Sequence, residues 1–263
     1  MEGKKHNGIF YRDVGSGPVL VLLHGFGEDS RIWNLQIEFL QNHNRLIIPD
    51  LRGTGRSAPD SINEISIESM AEDIKTILVH EQIETCSIIG HSMGGYIALA
   101  FAEKYPQNLK SLGLVHSTSY ADSEEKKEAR RKGISFIREN GAAAFIRATI
   151  PNLFATPFKD NQPAAFQQLL DWSEELSGET LIAYYESMIC RPDRTPVLKS
   201  FKKPVLIIIG SEDKAVSPED ALDQATLPAQ CQLCLLQQVA HMGMWEASET
   251  INRELLLFLE WTK

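Results

Sequence analysis

A serine flanked by glycines is the first feature of this sequence that points to chemistry. Ser92 stands at the centre of residues 90–95 (GHSMGG), directly after an apolar run at residues 86–89. Apolar residues at helical spacing follow, so the pattern predicts a strand, a sharp turn and a helix. Such a turn strains its central residue and requires small residues two positions away, which Gly90 and Gly94 are. We expect Ser92 to lie exposed at a helix N-terminus, where free N–H groups favour a developing anion.

The motif alone does not establish a catalytic serine, since a Gly-x-Ser-x-Gly turn between a strand and a helix also arises without chemistry. A serine hydroxyl is a poor nucleophile at neutral pH and needs a general base that an acid orients. Asp213 and His241 each follow a strand-like apolar run. Because the carboxyl ends of parallel strands share one edge of a sheet, His241 is the candidate base and Asp213 the candidate acid. Glu212 is the rival acid, and His116 is the rival base.

A tetrahedral oxyanion needs N–H donors beside the serine. Residues 24–27 (HGFG) form a glycine-rich loop directly after the apolar run at residues 19–23. We interpret the N–H of Phe26 as one donor and the N–H of Met93 as the other, although a simple tight turn has the same pattern. His24, at the end of the strand, is predicted to support this loop rather than to act as a base.

Strand-like and helix-like patterns alternate around these motifs. Strands are predicted at residues 9–14, 19–23, 45–49, 86–89, 110–116, 203–209 and 231–237. Helices are predicted at residues 30–41, 66–82, 218–225 and 248–261, and directly after Ser92. Strands that are apolar on both faces and alternate with helices are typical of an α/β fold. The pattern therefore predicts a mostly parallel central sheet of about eight strands with helices on both faces.

The strand pattern disappears between residues 117 and 196. Helices are predicted there at residues 122–140, 142–150, 164–176 and 179–190, with prolines between them. We expect this segment, inserted after the sixth strand, to form a helical cap over the carboxyl edge of the sheet, while residues 1–116 and 197–263 form the core. The predicted cap contains several large apolar residues, of which some would line a pocket and most would hold the cap together. These residues are Phe145, Ile150, Leu153, Phe154, Phe158, Phe166 and Trp172.

The composition is that of an ordinary globular protein. Of the 263 residues, 43% are hydrophobic and 23% are charged, and the formal net charge is −9. An acidic chain is a poor partner for nucleic acid or for an anionic membrane surface. The start of the chain is polar, and no apolar run approaches the roughly 20 residues of a spanning helix, so we expect a cytoplasmic protein without membrane insertion.

Two further patterns favour structural interpretations. Cys231 and Cys234 lie three apart in a strand-like run, where they point to opposite faces, so we interpret them as buried thiols rather than metal ligands. Residues 50–57 (DLRGTGRS) read as a hydrogen-bonded turn held by Asp50 and Arg52. Phosphate binding is the alternative there, but the spacing is not that of a P-loop.

The chain resembles the α/β-hydrolase superfamily over its whole length, cap included. The similar segments are residues 24–27, 50–57, 90–95 and 210–213 and the loop around His241. The resemblance implies a catalytic triad of Ser92, Asp213 and His241. It also implies an oxyanion hole formed by the N–H groups of Phe26 and Met93.

A serine at this turn narrows the chemistry that the resemblance implies. Dehalogenases and epoxide hydrolases of the superfamily carry aspartate there, so Ser92 indicates cleavage of a carboxylic ester, a thioester or a carbon–carbon bond. Ala240 stands where the superfamily often has glycine, which leaves the assignment of His241 intact. The resemblance implies a small-molecule substrate, no metal, no organic cofactor, and a monomer or homodimer. A non-catalytic small-molecule receptor is the alternative from another class.

Overall fold

The computed structural model describes residues 3–57 and 65–262, and in them an eight-stranded sheet forms the centre of the molecule. The strands are β1 (Lys4–His6), β2 (Ile9–Val14), β3 (Val19–Leu23), β4 (Arg45–Pro49), β5 (Cys86–His91), β6 (Leu109–Val115), β7 (Val205–Gly210) and β8 (Cys231–Leu236). Their spatial order is β1-β2-β4-β3-β5-β6-β7-β8. The pairs β1–β2 and β2–β4 are antiparallel, and the other pairs are parallel. The predicted α/β class and its mostly parallel sheet are confirmed.

Helices connect these strands. They are α1 (Asn34–Leu40), α2 (Ile67–His80), α3 (Met93–Lys104), α4 (Glu124–Asn140), α5 (Ala142–Thr149), α6 (Thr156–Asn161), α7 (Pro163–Glu174), α8 (Gly178–Cys190), α9 (Thr195–Ser200), α10 (Pro218–Gln224), α11 (Gly243–Glu246) and α12 (Ser248–Trp261). Short 3-10 turns lie at Ser30–Trp33, Pro106–Asn108 and Ile150–Leu153. Within the described ranges, every helix is too short or too polar to span a bilayer.

Strand β3 shows why the sheet carries helices on both faces. Val21 and Leu23 pack on one side with apolar residues of α2 and α3. Leu20 and Leu22 pack on the other side with apolar residues of α1 and α12. All four side chains are fully buried. Because side chains alternate along a strand, a continuous apolar run supplies two core layers at once.

Strand β1 has no counterpart among the predicted strands. Its sequence, Lys-Lys-His, lacks an apolar period and lies at the edge of the sheet. Lys4 forms ion pairs with Asp13 of β2 at 2.6 Å and with Glu81 after α2 at 2.9 Å. Backbone pairing and these ion pairs, rather than burial, therefore place the strand, and neither is visible in hydrophobic periodicity.

The helices from α4 to α9 lie between β6 and β7, and they include two that are additional to the four predicted ones, α6 and α9. This segment contacts the loops at the carboxyl edge of the sheet. The hydroxyl of Tyr184 in α8 donates to the carbonyl oxygen of Arg52 at 2.9 Å, and the N–H of His241 donates to the carbonyl oxygen of Leu153 at 2.9 Å. Helix α9 crosses the predicted boundary at residue 196, and the division into core and cap stays a prediction.

The loop that begins at Asp50 is hydrogen-bonded through that carboxylate. Asp50 accepts from the N–H of Ser30 at 3.0 Å and from the N–H of Arg56 at 2.8 Å. Arg52 instead reaches α2, where its Nη2 donates to Asp73 at 2.8 Å. The guanidinium of Arg52, which a bound phosphate would need, is thus already paired with the carboxylate of Asp73. This pairing supports the interpretation of residues 50–57 as a structural turn rather than a phosphate site.

The cysteines are placed differently from the expectation. Cys231 and Cys234 are half-buried rather than buried, because β8 is the last strand of the sheet order and is covered incompletely. Cys86 of β5 is buried, and Cys190 at the end of α8 is exposed. Burial raises the pKa of the Cys231 thiol to about 11, so this thiol is protonated at neutral pH.

Candidate active site

Ser92 lies at the turn between β5 and α3 in a backbone conformation that serine rarely adopts. Its φ is 50° and its ψ is −117°, and a positive φ is costly for a residue with a Cβ atom. A Cβ atom on Gly90 would lie 2.2 Å from the backbone of Gly94, and one on Gly94 would lie 2.4 Å from the carbonyl oxygen of Leu23. The two glycines therefore let β5, α3 and β3 meet at backbone distance, as the motif predicts.

Hydrogen bonds hold Ser92 in this conformation. Its N–H donates to the carbonyl oxygen of Val115 at 3.0 Å, and its carbonyl oxygen accepts from the N–H of Gly95 at 2.9 Å. The same carbonyl oxygen accepts from the hydroxyl of Ser117 at 2.7 Å. These contacts offset a conformational cost of about 1–3 kcal/mol. Ser92 remains partly exposed.

The structure brings the predicted acid and base together. Nδ1 of His241 lies 2.8 Å from Oδ2 of Asp213, and both side chains are buried. Oδ1 of Asp213 accepts from the N–H groups of Ala215 and Val216 at 2.9 Å each. The carboxylate is therefore fixed by the loop after β7, and it orients the imidazole that follows β8. Glu212, the rival acid, is exposed to solvent.

The charges of this pair follow from its surroundings. Burial raises the pKa of the Asp213 carboxyl, but the attraction of His241 and the hydrogen bonds of two histidines outweigh burial, so the pKa lies far below its usual range. Burial lowers the pKa of His241, but the charge and hydrogen bond of Asp213 raise it by more, so the pKa lies above its ordinary value. The pair thus favours a charged imidazolium, the species that a general base becomes when it takes a proton.

A second histidine contacts the same carboxylate. Nδ1 of His116 lies 3.0 Å from Oδ2 of Asp213, and the side chain is fully buried. Its Nε2 has no hydrogen-bond partner among the described residues. Burial lowers the pKa of His116 to about 4, so it is neutral at pH 7. His116 therefore donates a hydrogen bond to Asp213 through Nδ1–H, and it is not placed to act as the rival base. No spacing in the sequence indicated this contact between His116 and Asp213.

The same three side chains offer ligand atoms within 4.8 Å of one another, as a metal site would. Both histidines direct Nδ1 at one carboxylate at hydrogen-bond distance. Nε2 of His116, which would be the other ligand atom, packs against Gly243, where a Cβ atom would lie 2.4 Å away. We therefore interpret the cluster as a hydrogen-bond network.

Behind the site lies a buried network that the sequence analysis did not identify. Nε2–H of His91 donates to the carbonyl oxygen of His241 at 3.0 Å, and Nδ1 of His91 lies 3.0 Å from the carboxylate of Glu28. Glu28 also accepts from the N–H of Gly25 at 2.7 Å. Burial raises the pKa of Glu28, but its pairing with His91 outweighs burial and lowers the pKa below its usual value. The network ties together the loop of Gly25, the turn of Ser92 and the loop of His241.

The predicted oxyanion donors flank Ser92. A Cβ atom on Gly25 would lie 3.0 Å from Cβ of Ser92, so the loop before Phe26 touches the serine. Met93 is the first residue of α3, where backbone N–H groups lack a partner within the helix. His24 is fully buried and supports this loop, because its Nε2 accepts from the N–H of Leu51 at 3.0 Å. The oxyanion role of Phe26 and Met93 stays a prediction.

A cavity of about 130 Å³ joins these residues. Its lining consists of Phe26, Ser92, Tyr96, Arg130, Thr149, Ile150, Leu153, Tyr185, Met188, Ala215, Val216 and His241. Of the apolar residues predicted between α4 and α9, Ile150 and Leu153 reach it. Phe145, Phe154 and Phe158 are buried elsewhere among the helices. Arg130 was missed because the charged sequence of α4 reads as a solvated helix face.

The sequence profile of the α/β hydrolase fold family matches residues 18–159, and the chain belongs to that family. The RutD protein of Agrobacterium fabrum, which is named as a carbamate hydrolase, is 28% identical over 257 residues, 97% of this chain and 97% of its own. A thermophilic esterase from Thermogutta terrifontis has a TM-score of 0.90 at 30% identity, with 97% of this chain and 93% of that chain covered. An enol-lactonase from Burkholderia xenovorans LB400 has a TM-score of 0.89 at 24% identity over 98% of this chain and 100% of its own, which shows a shared fold.

Proposed function

We propose that this protein is a serine hydrolase that cleaves a small-molecule carboxylic ester through an acyl-enzyme intermediate. The observation that carries the proposal is the strained Ser92, which shares a cavity with His241, while His241 is hydrogen-bonded to the buried Asp213. A partly exposed serine in a costly conformation, beside a base of fixed orientation, is suited to nucleophilic attack.

In the proposed reaction, Nε2 of His241 takes the hydroxyl proton of Ser92 as the Oγ atom attacks the ester carbonyl. Asp213 holds the imidazole and stabilises its charged form. The N–H groups of Phe26 and Met93 would bind the oxyanion. His241 then gives the proton to the leaving alcohol. Water, activated by the same histidine, attacks the acyl group on Ser92 and releases the acid.

The relatives support attack on an acyl carbon. The Thermogutta terrifontis protein is an esterase, and the RutD protein is named for carbamate hydrolysis. Thioesters and carbon–carbon bonds make the same demands on Ser92, so they are the alternative substrates. We further propose that residues 117–196 act as a cap, since Ile150 and Leu153 line the cavity together with Ser92 and His241.

The test is a panel of esters and thioesters of graded chain length, with Ser92→Ala as the decisive variant. We expect the variant to fold and to lose activity, by about 10⁶-fold in kcat for the loss of such a nucleophile. Ser200→Ala, which changes an exposed serine of α9, is the matched control and should keep full activity. Labelling by a fluorophosphonate probe should require Ser92.

Retained activity in Ser92→Ala would refute the nucleophile assignment. If the probe labels Ser92 but no ester is turned over, the serine is reactive and the scissile bond is that of a thioester or a carbon–carbon bond. A protein that binds small molecules but neither turns over any of these substrates nor reacts with the probe would be a receptor.

A further inference from the structure

Among the described residues, Arg130 is the one lysine or arginine that lines the cavity of Ser92 and His241. No aspartate or glutamate of the described residues lines it. The cavity therefore presents a cation without a facing anion. The chain as a whole carries a formal charge of −9, so any attraction of an anion must come from local charges.

Arg130 shares one carboxylate with a second arginine. Its Nε donates to Asp122 at 2.6 Å, and Nη1 of Arg191 lies 2.9 Å from the same carboxylate. The side chains of Asp122 and Arg191 are only 1% and 3% exposed. Two guanidinium groups against one carboxylate leave one positive charge uncompensated, and in a partly desolvated place such a charge favours an anionic ligand.

The surplus charge is accessible at Arg130. The guanidinium of Arg191 donates to the carbonyl oxygens of Met188 at 3.1 Å and Tyr120 at 2.9 Å. It also lies 3.8 Å from the centre of the Tyr96 ring. Arg130 has a side chain that is 19% exposed. Its Nη1 has no acceptor in the part of the chain that the structure describes, so it has donors left for a ligand.

We propose that the substrate is an anionic ester, whose carboxylate binds Arg130 while its scissile carbonyl lies at Ser92. This inference rests on the proposed function and names its substrate class. A guanidinium binds a carboxylate through charge-assisted hydrogen bonds, often two in parallel. The ring of Tyr185 lies 5.5 Å from the guanidinium and stacks on Phe26 at 4.4 Å. This aromatic wall would contact the carbon chain between the two groups of the substrate.

The test compares substrates that differ by a single charge. Monomethyl adipate and methyl hexanoate carry a carboxylate or a methyl group at the same end of the acyl chain. A second pair varies the alcohol chain instead. The 4-acetoxybutanoate anion carries a carboxylate at the end of that chain, and butyl acetate carries a methyl group there. We expect wild-type kcat/KM to favour the anion by about tenfold or more in at least one pair.

Arg130→Gln should remove this preference. We expect kcat/KM for the favoured anion to fall by about 10- to 100-fold, a much larger factor than for its neutral match. The variant leaves Asp122 paired one-to-one with Arg191, so the fold should tolerate it. Arg138→Gln, which removes a 62% exposed arginine of the same helix, is the control and should behave as wild type. Arg130→Lys should restore part of the preference.

Wild-type protein that turns over both members of each pair equally would overturn this inference and leave the proposed function standing. Failure to hydrolyse any ester, with Ser92 unlabelled by the fluorophosphonate, would remove the proposed function and this inference with it. If Arg130→Gln does not fold, inhibition of the wild type decides. Adipate should then inhibit hydrolysis of methyl hexanoate better than hexane-1,6-diol, and equal inhibition would contradict the anion site.

Discussion

The two histidines that share Asp213 have pKa values that are shifted in opposite directions. His241 has its pKa raised, because the charge of Asp213 outweighs burial. His116 has its pKa lowered to about 4, because its complete burial outweighs the same charge. Since a general base must be neutral before it accepts a proton, the pKa of His241 sets the acid side of the pH profile.

We expect kcat/KM to rise with pH through an apparent pKa above about 6.5, the ordinary value for histidine. Asp213→Asn removes the charge that raises the pKa of His241, so the rising limb should move to lower pH. The kcat value should also fall by about 10⁴-fold, because the amide no longer holds the imidazole in the productive tautomer. Measurement of kcat/KM for one ester between about pH 5 and pH 9 checks both effects.

Glu212→Gln is the matched control for this experiment, because it changes the exposed carboxylate next to Asp213. It should keep the wild-type profile. If the rising limb of the pH profile moves in Glu212→Gln and stays in place in Asp213→Asn, Glu212 and not Asp213 is the acid of the triad.

At the scale of elements, the turn between β5 and α3 depends on glycine for steric reasons. A Cβ atom on Gly94 would lie 2.4 Å from the carbonyl oxygen of Leu23 and 2.7 Å from that of His24. Neither backbone atom can rotate away as a flexible side chain would. The end of β3 and the start of α3 must therefore separate if any larger residue replaces Gly94.

Gly94→Ala should lower the free energy of unfolding by about 1–3 kcal/mol and reduce kcat, because the shift displaces Ser92 and the loop of Phe26 together. Thermal unfolding and ester turnover measure the two effects. Gly178→Ala at the start of α8 is the control, since its Cβ atom would meet a side-chain carbon of Ile137 at 3.2 Å. A Gly94→Ala protein as stable and active as this control would show that the turn is looser than its geometry indicates.

The elements differ in how far the sequence predicts them. The predicted bounds of β2, β3 and β4 match the structure residue for residue, because a short apolar run between turns leaves little choice of where a buried strand begins and ends. The helices between β6 and β7 are predicted less completely. Their hydrophobic periods are interrupted by prolines and short turns, so α6 and α9 were missed.

At the scale of the whole molecule, the neutral burial of His116 links folding to pH. Its pKa is about 4 in the folded protein, against an ordinary value of 6.5. Between these values the unfolded chain binds more protons than the folded one. The contribution of His116 to stability is therefore complete above about pH 6.5 and is lost as the pH falls towards 4.

We expect the melting temperature of the wild type to fall from pH 6.5 to about pH 4.5, and to fall less steeply in His116→Gln, which has no group to titrate there. His43→Gln, at an exposed histidine, should keep the wild-type slope. Thermal unfolding at a series of pH values decides. Parallel slopes in all three proteins would show that the charge of His116 is not coupled to folding.

The sequence by itself determined the class of the fold, the turn of Ser92 and the candidate pair Asp213 and His241. These follow from local rules, namely apolar runs, glycine spacing and the place of a polar residue after a strand. The tertiary structure alone decided that His116 supports Asp213 and that Arg130 faces the cavity. Contacts between side chains 97 residues apart, as in His116 and Asp213, depend on how strands and helices pack. That packing leaves no periodic trace in the chain.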